Sequence, residues 1–191
     1  MGYKKYIKDY RKEYIVKPNG KPGVTATYIG KYFRFTASER DFNKARLVFA
    51  ALSALALVSC ILPLLFDTES SHNLYVSLPQ VVSLFPIVHL IIGVANLYMK
   101  KPPLIREFRD KTEGRVSFNS AATGSALALV TCMRLLFCIL NGFSLQEIIF
   151  AVITAVGSAS GWYIYAKRSF LATEEVPNEK AQADEAENDG E

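Results

Sequence analysis

Four apolar runs, over residues 47–66, 74–99, 120–142 and 147–165, constrain this chain more than anything else in it. Each is about 20 residues or longer, enough to cross a ~30 Å hydrocarbon core at ~1.5 Å of rise per residue. Within that core every backbone N–H and C=O must be satisfied inside the protein, so such runs read as transmembrane helices. The expected fold is an all-α membrane protein, a four-transmembrane-helix bundle. The modest mean hydropathy of +0.15 then reflects very apolar spans averaged with very polar flanks.

Charge supplies the orientation. Residues 1–46 carry twelve Lys and Arg against four acids, a net of +8. The short loop at 67–72 has no Lys or Arg, the loop at 100–119 has six, the turn at 143–146 has none, and Lys167 and Arg168 follow the fourth run. Lys and Arg gather on the cytoplasmic side of short loops, so both termini are expected in the cytoplasm, the protein being multi-pass in the cell membrane. Tyr75, Tyr98, Trp162, Tyr163 and Tyr165 fall at span ends, where amphipathic rings prefer the interface. The first span begins well behind a basic segment, so the chain is not expected to open with a cleavable signal.

The flanks carry their own patterns. Tyr3, Tyr6, Ile7, Tyr10 and Tyr14 recur at helical spacing among five basic residues, which suits either a short helix on an anionic leaflet or a frayed basic terminus. Residues 13–35 read as a small cytoplasmic N-terminal β-hairpin: a β-prone segment at 13–17, the turn residues Pro18-Asn19-Gly20-Lys21-Pro22-Gly23, and one long β-branched and aromatic segment at 24–35. A lone hairpin is marginal in water, so it is expected to lean on the membrane surface, the second loop or another protein. Ser38, with Asp41 three residues on, reads as the N-cap of a helix that runs into the first span. Leu104, Ile105 and Phe108 suggest a short interfacial helix starting at Pro103 and closing near Gly114. Residues 173–191 hold eight acids, one lysine and one aliphatic residue, and are expected to be a disordered tail, with docking on the basic N-terminal segment the alternative. The domains expected are 1–37, 38–172 and 173–191.

Few residues point to chemistry. Arg134 lies well inside the third run, where a charge costs about 2.5–3.5 kcal/mol on insertion scales. It serves a ligand or partner, snorkels about 10 Å to the end of its span, or pairs with Glu147 at the start of the fourth run. His89 stands mid-span in the second run and is expected to be neutral and hydrogen-bonded between helices; Gln80 lies between Pro79 and Pro86, which imply bends. Arg134, His89, Gln80 and Glu147 form the candidate intramembrane polar site. Cys60, Cys132 and Cys138 show no metal-ligand spacing and read as small buried hydrophobes. Close helix approach is expected at Ala50-x3-Ala54 in the first run, and at Ala151-x3-Ala155-x3-Ala159 and Gly157-x3-Gly161 in the fourth. The sequence holds no zinc-protease, P-loop, dinucleotide or nucleophile-elbow motif.

The function expected is that of a non-enzymatic accessory or scaffold subunit, without cofactor or metal. The alternative is a small oligomeric transporter or channel using Arg134 and His89. Partners expected are the lipid bilayer, anionic lipids near the basic N-terminus, and a protein partner or second copies of the chain. Nucleic acid is not expected, because topology already explains the basic residues.

Overall fold

A computed structural model describes residues 6–16, 22–99 and 104–176. The chain divides into two compact units, a larger one of residues 37–100 and 112–172 and a smaller one of residues 1–36, 101–111 and 173–191.

The larger unit is helical. Its helices are α1 (Glu39–Ile61), α2 (Leu74–Met99), the greater part of α3 (Arg106–Asn141) and α4 (Leu145–Ala166). All four are long and apolar enough to cross a membrane. α1 starts where its cap residue predicts, with the Ser38 hydroxyl oxygen accepting from the Asp41 backbone N–H at 3.2 Å. The Asp41 carboxylate accepts from that same hydroxyl at 2.7 Å. Its last turn tightens into a 3₁₀ turn, Leu62–Leu64, around Pro63. α2 runs continuously through Pro79 and Pro86. The short helix expected to close near Gly114 is not a separate element. α3 begins at Arg106 and passes Gly114 without a break, 36 residues in all.

The helices bury many small and polar groups beside large apolar ones such as Phe49, Ile87, Leu127 and Ile164. α1 buries Ser53, Ala56, Ser59 and Cys60, and α4 buries Thr154, Gly157, Ser158, Ser160 and Gly161. Leu, Val and Ile are the commonest of the large apolar side chains left exposed. Lipid tails solvate such residues as well as a protein core does, so close backbone packing and interhelical hydrogen bonds are left to hold helices together. A Cβ on Gly157 would fall 2.7 Å from Ser59 Cβ, and one on Gly161 would fall 2.6 Å from the Gly124 backbone nitrogen. These two glycines set how near α4 comes to α1 and α3. The Gly157-x3-Gly161 seam is therefore real, whereas Ala54, Ala155 and Ala159 face outward. Cys60 Sγ lies 3.1 Å from Ser83 Oγ between α1 and α2, and Gly93 of α2 approaches Val116 of α3. The ring of four helices is thus closed pairwise.

The smaller unit holds two sheets. β1 (Tyr10–Val16) and β2 (Pro22–Tyr28) form an antiparallel hairpin, in register from Tyr10 opposite Tyr28 to Val16 opposite Pro22. The helical spacing of the first tyrosines does not become a helix: Ile7–Asp9 is one 3₁₀ turn, and the strand begins at Tyr10. Residues 1–5 lie outside the described residues.

The long second strand expected over 24–35 is two strands. Asp9 C=O accepts from both Ile29 N–H and Gly30 N–H, at 2.9 and 3.2 Å, and this ends the hairpin. The chain then enters a second sheet, where β3 (Tyr32–Phe35) lies between β4 (Leu104–Ile105) and β5 (Thr173–Val176), antiparallel to both. Of the three supports expected for this region, the second loop supplies one strand, and the segment after α4 supplies another. The start of the acidic segment is therefore ordered; 177–191 lies outside the described residues.

Candidate functional site

Arg134 is the largest fully buried side chain in the described structure, at 1% exposure. It does not snorkel. Nη1 donates to Glu147 Oε2 at 3.0 Å and to Ser70 Oγ at 2.9 Å, while Nη2 donates to Gln80 Oε1 at 2.8 Å. The guanidinium carbon lies 5.7 Å from the centre of the Phe150 ring, a cation–π contact. Nε is buried and has no partner.

Each partner is held in turn. Ser70 sits in a 3₁₀ turn, Glu69–His72, capped by Thr68, whose hydroxyl accepts from Ser71 N–H at 3.2 Å. That turn aims both Ser70 donors at one carboxylate, N–H to Glu147 Oε1 at 3.0 Å and Oγ–H to Glu147 Oε2 at 2.6 Å. Glu147 lies in the first turn of α4, where a negative charge also meets the positive end of the helix dipole. Gln80 spends its amide N–H on Cys60 C=O at 2.8 Å, which frees its oxygen for Arg134. The connected groups draw on α1, α2, α3, α4 and the 67–73 loop.

Three of the four candidate residues, Arg134, Glu147 and Gln80, therefore meet. His89 does not join them. Its Nδ1 lies 2.9 Å from Phe85 C=O, one turn back on its own helix, and the ring stacks on Phe85 at 4.3 Å. The interhelical hydrogen bond expected for it is replaced by a bond within α2, and the side chain is half-buried. Ser70 is the member that sequence reasoning missed. It is one of two adjacent serines in a polar loop, and only the cap at Thr68 decides which of them turns inward. Cys60 and Cys138 are buried as expected, whereas Cys132 is exposed.

Chemically the cluster is a neutral pair wrapped in hydrogen bonds. Three of the bonds to Arg134 come from the chain's own acceptors, in the geometry of a charge-assisted structural contact. Among the described residues, no group of three or more His, Cys, Asp or Glu is placed to hold a metal ion.

A second cluster organises the smaller unit. Tyr28 stacks edge-to-face on Tyr10 and on Tyr32, both at 5.2 Å. Its hydroxyl donates to Lys31 C=O at 2.8 Å and accepts from Arg106 N–H at 3.1 Å. Burial raises its pKa above the ordinary tyrosine value. The Arg109 guanidinium covers the buried Phe33 ring at 4.1 Å and forks onto Asp110, whose other oxygen accepts from Tyr6. No known protein family, curated protein or solved structure compared with this chain matches it.

Proposed function

We propose that this chain is a multi-pass protein of the cell membrane that acts without catalysis, as an accessory or scaffold subunit, with both termini and the 100–119 loop in the cytoplasm. One observation carries the reading. Three segments that flank different spans, at 32–35, 104–105 and 173–176, are woven into a single sheet. A sheet cannot be shared across a bilayer, which supports a common side for the three segments, in keeping with the Lys and Arg alternation. A polar unit built this way offers a fixed surface to a partner, or to further copies of the chain, in the compartment it faces. The Arg134 cluster supports the same reading. Its hydrogen-bonding donors are directed to Ser70, Glu147 and Gln80, which suits a lock between helices better than a cargo site.

Two experiments test the proposal. In intact cells, a membrane-impermeant thiol reagent should label Glu69→Cys and spare Glu113→Cys, both exposed positions; the reverse pattern overturns the orientation. Extraction in mild detergent should copurify a stoichiometric partner. A pure homo-oligomer that carries solute flux in vesicles overturns the accessory role in favour of transport.

A further inference from the structure

One face of the hairpin changes character along its length. Alternation places Tyr10, Lys12 and Tyr14 on the same face as their cross-strand neighbours Tyr28, Ala26 and Val24. At the base Tyr10 and Tyr28 are stacked, and Tyr28 is fastened to Lys31 and Arg106. Towards the tip the same face opens to solvent: Lys12 and Ala26 are exposed, Val24 is 57% exposed and Tyr14 is 85% exposed. Tyr14 and Val24 are direct cross-strand partners, so an aromatic ring and a branched aliphatic side chain form one exposed apolar patch beside a lysine. Residues 8–31 carry six Lys and Arg and two acids, a net of +4.

An occupant must satisfy both the charge and the ring. The acidic residues 177–191, with six acids against one lysine, answer the charge; yet they contain no aromatic residue and nothing more apolar than Ala and Pro. A lipid leaflet answers both. Tyrosine prefers the interfacial layer, with its ring among acyl carbons and its hydroxyl among headgroups, and lysine is drawn to anionic phosphates. Covalent connection keeps a leaflet within reach, because β3 ends at Phe35 and the helix of the first span begins at Glu39.

We propose that this face docks on an anionic lipid leaflet, with Tyr14 and Val24 in the interfacial layer and Lys12 among the lipid phosphates. The inference rests on the membrane-spanning reading above and adds the docking element and its lipid class.

The test uses the full chain in vesicles of phosphatidylcholine alone or with about a third phosphatidylglycerol. Tyr14→Trp, with the parent spectrum subtracted for Trp162, reports the environment of the tip. Val24→Trp is the second reporter, and both positions are exposed enough to accept the ring without disturbing the fold. In anionic vesicles the added tryptophan should shift to the blue and be quenched about twofold or more by brominated lipid. Lys12→Glu should lower the docked-to-free ratio by about fivefold or more. A water-like spectrum in both vesicles overturns the proposal. So does equal quenching with and without anionic lipid, which would show insertion indifferent to charge. A blue shift seen only after deletion of 177–191 overturns it in favour of the acidic segment as occupant. A shift that grows with protein concentration in detergent overturns it in favour of contact between copies. Protease protection on the same vesicles reports separately whether the chain spans the bilayer.

Discussion

Replacing Arg134 and Glu147 by leucine, singly and together, probes the buried ion pair that joins α3 to α4. The two single changes should not be equivalent. Without Arg134, Glu147 keeps both Ser70 donors, and a carboxylate deprived of its cation can take up a proton. The cost is that of an imperfectly satisfied polar site, about 1–3 kcal/mol. Without Glu147, a guanidinium at 1% exposure keeps only Ser70 and Gln80 as partners, and it cannot shed its charge. Breaking a buried pair in this way costs about 3–5 kcal/mol. The double change removes both charges; it leaves Ser70 without its Glu147 acceptor and its Arg134 donor, and Gln80 without its Arg134 donor, about 1–3 kcal/mol for neutral polar groups that lose their partners. The double variant should therefore be more stable than Glu147→Leu alone, with a coupling of about 3 kcal/mol between the sites. Unfolding by sodium dodecyl sulfate in mixed micelles, followed by helical circular dichroism, measures all three variants. Effects that add to within about 0.5 kcal/mol would refute the pair as a lock. Normal stability combined with lost partner binding in Arg134→Leu would move the residue from structure to function.

Further outcomes follow from local geometry. Gly161→Ala sets a Cβ against the Gly124 backbone and should cost about 1–3 kcal/mol, whereas Gly114→Ala meets nothing within 4 Å in a helix interior and should gain about 0.5–1 kcal/mol; equal effects in the micelle unfolding assay would contradict the packing described. Deleting 177–191 should leave the smaller unit intact, while deleting 173–191 removes β5 and the Lys31–Glu175 ion pair and should expose β3 to limited proteolysis; identical digestion of the two truncations would refute the role of β5. The raised pKa of Tyr28 means that its protonated phenol is favoured in the fold, so its contribution is complete below the ordinary tyrosine pKa and is lost as pH rises through the raised value. Ultraviolet titration of tyrosinate, taken as the difference from Tyr28→Phe, should show one late-titrating phenol, and a difference curve at or below the ordinary value would refute its burial.

Hydropathy was enough to find the four helices, because length and apolarity are sums along the chain that need no knowledge of neighbours. The α1 start was equally legible, since Ser38 and Asp41 act within one turn. Arg134 and Glu147 could be paired from sequence because one short turn joins the runs that carry them. What remained hidden depends on contacts between distant segments. The 24–35 segment looks like one strand, since β-branched and aromatic residues run through it; its division at Ile29–Gly30 comes from two hydrogen bonds to Asp9 C=O. β5 was unreadable because Thr173-Glu174-Glu175-Val176 has almost nothing to bury and becomes a strand only by pairing with β3. α3 passes through Gly114 because the cost of one glycine, about 1 kcal/mol, is small beside the packing of a 36-residue helix. Ser70 was invisible and His89 overrated for the same reason. A polar residue joins an intramembrane site by the face of the helix or turn it occupies, and the sequence determined which residues could form hydrogen bonds while only the tertiary structure decided which of them face each other.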